Sequence, residues 1–276
     1  MVFENKIFDK EREFYESDGV TVISCRFEGA ADGESAFKES KNICVRDCLW
    51  DLRYPFWHDE NLHMENTLLN GNCRAALWYS KDISIKGSQL HGIKALRECK
   101  KASIEDSSIV SAEFGWMCED IKLISTSATG EYFMMRSKNL DFEGVTLDGK
   151  YSFQYIENAH FKNCIFNTKD AFWHGKNIIV EDSVIKGEYL AWYAEDITFI
   201  NCKIEGTQPL CYCKNLRLLN CEMTNADLSF EKSEVEATLT APIISIKNAL
   251  SGYIKVPAVE EIIRDKDEYK CEIIVG

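Results

Sequence analysis

The chain has 276 residues and a formal net charge of −13 at pH 7, and 45% of its residues are hydrophobic. This length allows a large core, whereas the acidic balance argues against nucleic acid as a partner, because phosphate binding needs a basic face. No apolar run approaches the roughly 18 residues of a membrane span, and the N-terminal residues lack the apolar segment of a secretion signal. We therefore expect a cytoplasmic protein that binds neither nucleic acid nor membrane.

The chain divides into a short N-terminal part, a long repetitive part and a C-terminal part. Residues 1–19 precede any regular pattern and predict an irregular or short helical cap. In 20–240 one pattern returns about every 19 residues, most clearly in NIIVEDSVIKG (177–187) and DITFINCKIEG (196–206). A fixed period of about this length is typical of a solenoid. Residues 241–276 lose the period and predict strands that cap the other end, so that 1–276 forms a single domain.

Each repeat combines apolar columns with corner residues. Two apolar positions separated by one polar position, as in Ile178 and Val180, indicate a strand with one buried face. A column of small residues, a column of mostly glycine and a column of Asn or Asp complete the repeat. Glycine, asparagine and aspartate accept the left-handed backbone conformation of tight corners. Three short strands per turn without a helical period predict an all-β fold, a single-stranded right-handed parallel β-helix of about 12 coils with roughly 19 residues per coil.

The chain contains 12 cysteines, and their positions argue against disulfides and metal sites. Five of them share one column of the repeat with Ser and Thr, which is expected of small buried side chains. Cys211 and Cys213 have the wrong spacing for a zinc knuckle. We therefore predict free thiols, no metal and no cofactor.

The segment before each Asn corner is interpreted as a third strand with two faces. One face carries a recurring Trp and is predicted to point inwards, with ligand stacking as the alternative role of the Trp residues. Arg97 and Gln154 interrupt this face, and if they are buried they need polar partners. The Trp residues in question are Trp57, Trp78, Trp116, Trp173 and Trp192.

The opposite face of this segment, here called the aromatic strip, is predicted to face solvent although it is rich in Tyr and Phe. Besides its Tyr, His and Arg residues it includes Phe56, Ala75, Leu77, Met134, Phe153, Asp170, Phe172, Ala191 and Leu210. An apolar patch of this kind usually marks a ligand groove, a partner interface or a surface covered by another part of the chain. The predicted ligand-binding residues are Tyr132, Arg136, Tyr151, Tyr155, Asp170, His174, Tyr189, Tyr193 and Tyr212.

Three functions remain open at this point. The leading hypothesis is that the aromatic strip binds a carbohydrate or a related small ligand, with or without chemistry. The alternatives are a homo-oligomer or partner-binding scaffold that uses the same strip, and a polysaccharide lyase or glycoside hydrolase. No cluster of carboxylates recurs on adjacent coils, so catalytic residues are not assigned; the nearest group is Asp170, His174 and Arg136.

Several longer segments carry a resemblance to a known family. They are GESAFKES (33–40), RYPFWHDENL (53–62), KDAFWHGKNI (169–178), GEYLAWYAEDITFINCKIEG (187–206) and SIKNALSGYI (245–254). The sequence resembles the uncharacterised bacterial domain-of-unknown-function family 3737 over nearly its whole length. The resemblance implies a right-handed β-helix of the pectate-lyase-like kind, and it implies no activity, because fold alone does not assign function.

Overall fold

The computed structural model describes residues 1–29 and 34–276, so that Gly33, the first residue of the GESAFKES segment, lies outside the described residues. Within them every regular element is a strand. The fold is a right-handed parallel β-solenoid of about 14 turns with roughly 19 residues per turn, which confirms the predicted fold class and comes close to the predicted 12 coils. The chain divides into two compact units, unit 1 (Met1–Asp141) and unit 2 (Phe142–Gly276), each described by itself.

The strands of unit 1 are short, and most of them belong to one of two sides of the coil. In chain order they are β1 (Val2–Glu4), β2 (Ile7–Phe8), β3 (Thr21–Ile23), β4 (Arg26–Phe27), β5 (Lys41–Arg46), β6 (Leu49–Trp50), β7 (Glu60–Glu65), β8 (Leu68–Leu69), β9 (Leu77–Trp78), β10 (Lys81–Lys86), β11 (Gln89–His91), β12 (Leu96–Arg97), β13 (Lys100–Glu105), β14 (Ser108–Val110), β15 (Glu119–Ile124), β16 (Ser127–Glu131) and β17 (Lys138–Glu143), whose last residues belong to unit 2.

The strands of unit 2 follow the same plan up to β24 and become longer afterwards. They are β18 (Thr146–Lys150), β19 (Glu157–Lys162), β20 (Ile165–Lys169), β21 (Lys176–Glu181), β22 (Val184–Lys186), β23 (Glu195–Ile200), β24 (Lys203–Glu205), β25 (Leu216–Thr224), β26 (Glu234–Leu239), β27 (Ile243–Lys247), β28 (Ser251–Val256), β29 (Val259–Ile263) and β30 (Glu272–Val275).

Residues one sequence period apart lie opposite each other in neighbouring parallel strands. In unit 1, Ile83 of β10 lies opposite Leu62 of β7 on one side and Ala102 of β13 on the other. In unit 2, Ile178 of β21 lies opposite Ile197 of β23. All five side chains are at most 3% exposed, so each apolar column of the repeat is a stack inside the solenoid.

The first residues continue the stack, where an irregular or short helical cap was expected. Strands β1 and β2 pair in parallel with β3 and β4, which places Phe3 opposite Val22 and Phe8 opposite Phe27. Phe8 stacks on Phe27 with ring centroids 5.0 Å apart, and Phe14 lies 5.1 Å from Phe3. Aromatic burial at this end thus stabilises a coil that the repeat pattern does not announce.

Hydrogen bonds connect the residues of the small-residue column from one coil to the next. In unit 1 the backbone N of Thr67 donates to Ser88 Oγ (3.1 Å), and the backbone N of Ser88 donates to Ser107 Oγ (3.1 Å). The Thr67 hydroxyl in turn donates to the carbonyl O of Glu65 (2.9 Å). Ser, Thr and Cys share this column because each can accept from a backbone N–H at the corner, and not only because they are small. All 12 cysteines are free thiols.

The predicted third strand is mostly a series of turns. In unit 2, Tyr189, Ala191 and Tyr193 all have positive φ (57°, 56° and 61°). The N–H groups of Tyr189 and Tyr193 donate to the following coil, at Thr207 O and Cys211 O, and that of Ala191 donates to the preceding one, at Ala171 O. Because every second residue is left-handed, side chains no longer alternate between two faces.

The interpretation of this segment as a strand with two faces was therefore wrong. Phe153 and Phe172, which were assigned to the solvent face, are fully buried and stack at 5.1 Å in unit 2. The Trp residues that were assigned to the core are half-buried at the surface instead. The other predicted solvent-facing residues that are buried are Phe56, Ala75, Leu77, Met134, Asp170, Ala191 and Leu210.

Candidate functional site

Four rings of unit 2 form one stacked column at the surface, here called the ring ladder: Tyr155, His174, Tyr193 and Tyr212. Successive ring centroids are 4.9, 5.0 and 4.8 Å apart, with interplanar angles of 8°, 6° and 11°. The spacing equals the distance between neighbouring parallel strands, because each coil contributes one ring at the same position. Tyr155 and Tyr193 are 43% and 46% exposed.

The ladder presents ring edges to solvent and not ring faces. Both faces of His174 are covered by tyrosines, and both faces of Tyr193 are covered by His174 and Tyr212. Beyond Tyr212 the Nζ of Lys232 lies 5.9 Å from the ring centroid. Burial, reinforced by the charge of Glu231, raises the pKa of the Tyr212 phenol to about 12, so this hydroxyl stays protonated. The exposed part of the ladder therefore consists of phenol hydroxyls and an imidazole edge.

Beside the ladder lie Trp173 and Trp192, here called the indole pair. Their rings are parallel within 3°, with centroids 5.4 Å apart, and both are half-buried. Trp192 is turned by 80° from Tyr193 and by 76° from Tyr212. The surface of unit 2 thus offers aromatic rings in two perpendicular orientations.

Each indole is held by a hydrogen bond to the turn of the next coil. Trp173 Nε1 donates to the carbonyl O of Tyr189 (2.6 Å), and Trp192 Nε1 donates to that of Gln208 (2.7 Å). At the equivalent position, the amide Nε2 of Gln154 donates to the carbonyl O of Asp170 (3.1 Å). This bond is the polar partner that the burial of Gln154 requires. The recurring Trp therefore has a structural role that an amide can take over.

Three further predicted residues of unit 2 occupy a second position of the same turn. Tyr151 and Tyr189 are half-buried there, whereas Asp170 is only 7% exposed. Burial raises the pKa of the Asp170 carboxyl, the charge of Lys169 opposes this, and the charge of Glu188 adds to it. Asp170 and His174 belong to one turn and do not form a hydrogen bond with each other.

Two of the predicted residues, Tyr132 and Arg136, belong to unit 1. Tyr132 is half-buried, and its carbonyl O accepts a hydrogen bond from Trp116 Nε1 (2.7 Å), while Arg136 is exposed. The equivalent column of unit 1 also contains His58 and Tyr79, stacked at 4.9 Å, but the next residue in that column is Glu98. Unit 1 thus starts a ring stack and replaces its continuation by charge.

A charged network takes the place of the indole pair in unit 1. The guanidinium carbon of Arg97 lies 4.9 Å from the ring centroid of Trp78 and 5.2 Å from that of Trp116. Arg97 Nε is 3.5 Å from Glu98 Oε1, and Arg97 Nη1 is 3.8 Å from Glu113 Oε2. We call these five residues the arginine cage. The prediction that a buried Arg97 needs polar partners is confirmed, and the cage leaves its cation no open face.

The sequence located the ring ladder and missed the indole pair as a surface feature. Gln154 could have indicated this surface position. An amide that replaces Trp in the repeat suggests that both side chains donate the same hydrogen bond, and not that both pack in the core. Glu188 and Lys232 were also missed, because neither belongs to a recurring pattern. Within residues 1–29 and 34–276, no three His, Cys, Asp or Glu side chains are placed to share a metal ion. Nor does that part of the chain contain a helix long and apolar enough to span a membrane.

The solved structures that match this fold have very low sequence identity to this chain. The tailspike protein of E. coli bacteriophage HK620, as a double mutant, is 9% identical with a TM-score of 0.44, over 89% of this chain and 60% of that chain. This chain thus spans 60% of the length of the tailspike protein. The A-module of the Azotobacter vinelandii mannuronan C-5 epimerase AlgE4 is 8% identical with a TM-score of 0.33, over 99% of this chain and 87% of that chain.

No functionally curated protein is significantly similar to this chain in sequence. A family model described as "Protein of unknown function (DUF3737)" matches residues 1–274. The match confirms the resemblance that the segments around RYPFWHDENL and KDAFWHGKNI carry. The chain therefore belongs to the DUF3737 family, whose fold in this member is a right-handed parallel β-helix.

Proposed function

We propose that unit 2 binds a carbohydrate on the surface formed by the indole pair and the ring ladder. The observation that carries the proposal is the parallel arrangement of Trp173 and Trp192, half-buried and perpendicular to the neighbouring tyrosine rings. A contiguous aromatic surface of this kind on a water-facing turn usually serves recognition.

The two ring orientations fit the two kinds of surface on a sugar. A pyranose ring has an apolar face of C–H groups, which packs on an aromatic plane, and a rim of hydroxyl groups, which needs hydrogen-bond partners. The half-buried indole pair supplies apolar ring surface, and the ladder edge supplies the phenol hydroxyls of Tyr155, Tyr193 and Tyr212 together with the His174 imidazole. Because coils repeat at a constant spacing, this surface suits a chain of several sugar units better than a single one.

Calorimetric titration with cellohexaose, maltohexaose and hexagalacturonate tests the proposal. The informative variants are Trp173→Gln and Trp192→Gln, because Gln154 shows that an amide can make the same hydrogen bond without the ring. Each should weaken binding about tenfold, which corresponds to about 1.4 kcal/mol. Trp57→Gln is the matched control in unit 1, where Trp57 Nε1 also donates to a turn carbonyl, Ala75 O (2.8 Å).

Absence of binding by all three hexasaccharides would contradict the proposal, as would equal weakening by Trp57→Gln. Self-association through the same surface is the rival function, since Tyr155 and Tyr193 expose more than two fifths of their area. A stable dimer in light scattering that Tyr193→Glu converts to a monomer would favour the rival. A monomer whose mass Tyr193→Glu leaves unchanged would favour the ligand site.

A further inference from the structure

One carboxyl group of unit 2 interrupts an aromatic column and forms no ion pair in the described part of the chain. Asp170 occupies the position that Tyr151 and Tyr189 fill on the neighbouring coils, and it is 7% exposed. In the described part of the chain its carboxyl group makes no hydrogen bond and no ion pair, in contrast to Arg97 in the cage of unit 1. A carboxyl on a mostly buried residue that has no bonded partner is unusual, and such groups are concentrated at functional sites.

The backbone of Asp170 is fixed from both sides. Its N–H donates to the carbonyl O of Glu188 on the next coil (2.9 Å), and its carbonyl O accepts the amide of Gln154 (3.1 Å). The side chain therefore starts from a rigid turn, as an acid that acts on a bound substrate requires. Among the described residues, the carboxyl oxygens of Asp170 do not belong to the fully buried polar atoms without a partner. Since they have no hydrogen-bond partner, they must keep some contact with solvent.

A second unpaired carboxylate stands on the adjacent coil. Glu188 is exposed, and among the described residues its carboxylate forms neither a hydrogen bond nor an ion pair. It lines a groove of about 460 Å³ together with Gly187 and Gly206. The groove also contains Glu205, but that carboxylate is paired with Lys186 (3.5 Å) and accepts from Asn225 (3.1 Å).

The two glycines of this groove are required by the backbone of the coil. Gly187 and Gly206 have φ of +148° and +141°, which side chains rarely adopt, and a Cβ on Gly206 would clash with the carbonyl O of Gly187. The groove directly precedes Tyr189 in the coil and so borders the proposed carbohydrate surface.

The environments of the two carboxyl groups differ in the direction that acid and base roles require. Burial raises the pKa of Asp170, so that its proton is retained to higher pH than that of a free aspartic acid. Glu188 is exposed to solvent. A carboxyl that holds its proton and a second, exposed carboxyl on the adjacent coil can act as acid and base in the cleavage of a glycosidic bond.

We propose that Asp170 and Glu188 hydrolyse a glycosidic bond of the carbohydrate bound on unit 2, an inference that rests on the proposed function. Asp170 gives its proton to the glycosidic oxygen while the bond from that oxygen to the anomeric carbon breaks. Glu188 takes a proton from a water molecule whose oxygen forms the new bond to the anomeric carbon. One water is consumed, and the proton on Glu188 returns through solvent to Asp170.

The test follows release of shorter sugars from cellohexaose, maltohexaose and hexagalacturonate by chromatography. Asp170→Asn and Glu188→Gln should each reduce the rate about 100-fold or more while calorimetric binding and thermal stability stay unchanged. Glu222→Gln is the control, since its carboxylate pairs with Lys203 (3.4 Å) and does not line this groove, and it should stay within about twofold of the original protein.

The outcomes separate the two proposals. Binding without release of any product overturns the catalytic inference and leaves the proposed function in place. Product release that survives both Asp170→Asn and Glu188→Gln overturns the assignment of these two residues. Absence of both binding and cleavage overturns the two proposals together, whereas loss of cleavage with retained binding supports both.

Discussion

The two units use equivalent positions of the repeat for different purposes. At the position of Trp192 unit 1 has Arg97, and at the position of Tyr193 it has Glu98. In unit 1 every charge of this group is paired, since Arg97 contacts two indoles and two carboxylates and Lys94 lies 3.4 Å from Glu113. In unit 2 the rings stack without charges between them, and the carboxyl of Asp170 stays unpaired.

The comparison shows what a coil requires at these positions and what it leaves free. The turn carbonyl needs a donor, which is an indole at Trp173 and an amide at Gln154. Beyond that requirement the side chains can form either a closed charge network or an open aromatic surface. The closed arrangement of unit 1 indicates stability, and the open one of unit 2 indicates recognition.

The largest effect is expected from breaking the arginine cage. Arg97→Ala removes the cation from between Trp78 and Trp116 and leaves the carboxylates of Glu98 and Glu113 without it. Because the Arg97 side chain is only 17% exposed, we expect a loss of about 4 kcal/mol in the free energy of unfolding. Urea unfolding measures this loss. The control Arg217→Ala removes an exposed pair with Glu236 (3.9 Å) and should change stability by less than about 0.5 kcal/mol. Equal effects of the two substitutions would contradict the contrast.

A pH-dependent effect is expected in unit 1 from Asp59. This residue is 1% exposed, its Oδ1 accepts from the backbone N of Ser40 (3.0 Å), and its Oδ2 has no partner in the described residues. Burial raises its pKa to about 9, opposed by the bond from Ser40. Since the folded state holds the proton more tightly than the unfolded chain, this contribution to stability is complete below about pH 4 and is lost as the pH rises towards 9.

Asp59→Ser should remove this dependence, because Ser40 and Ser80 already occupy the same column. The new hydroxyl can accept from Ser40 N, as Asp59 does. Relative to the original protein, we expect the free energy of unfolding of the variant to rise by about 3 kcal/mol between pH 5 and pH 7. Thermal or urea unfolding at both pH values provides the measurement. A difference between the two proteins that does not change with pH would show that Asp59 is ionised in the folded state.

The fold could be predicted from the sequence because the columns of the repeat show which residues pair between neighbouring coils. For residues such as Ile83 and Ile178, the 19-residue period and the tendency of apolar side chains to be buried were enough to predict their position. The third side of the coil was not accessible in this way, because nothing local favours positive φ at residues such as Tyr193 or Ala191. Hydrogen bonds to the coils before and after stabilise these left-handed residues, and those bonds exist only once the coils are stacked.

A smaller effect distinguishes the two roles of the indoles. Trp192→Ala removes ring packing and also the donor to Gln208 O, whereas Trp192→Gln keeps a donor. We expect Trp192→Ala to lower the free energy of unfolding by about 2 kcal/mol and Trp192→Gln by about 1 kcal/mol less than that. Urea unfolding of both variants measures the difference. If both variants were equally destabilised, the hydrogen bond would have no part in holding the turn.

The repeat period also predicted part of the candidate site. Tyr155, His174, Tyr193 and Tyr212 share one column, so their common surface position followed from the period. That their faces cover one another follows from the coil spacing, which is close to the thickness of stacked rings. The surface position of Trp173 did not follow, because it depends on the turn conformation.

The smallest effect is expected in the thiol column of unit 2. Cys202 Sγ contacts the carbonyl O of Val180 and that of Ile200, both at 3.3 Å, and the neighbouring thiol of Cys221 and burial raise the pKa of Cys202. Cys202→Ser should therefore change the free energy of unfolding by no more than about 1 kcal/mol, since a hydroxyl can donate to the same carbonyls, as the hydroxyl of Ser183 does to Glu181 O in the same column. Urea unfolding under reducing conditions checks this value, and a loss several times larger would show that the thiol is needed for packing.

NMR can distinguish ligand binding at the indole pair of unit 2 from binding at the arginine cage of unit 1. The six tryptophans give six indole N–H signals in ¹⁵N-labelled protein, and the Trp→Gln variants assign them. During titration with a hexasaccharide that binds, the signals of Trp173 and Trp192 should shift, while those of Trp78 and Trp116 stay in place. Shifts confined to Trp78 and Trp116 would contradict the account.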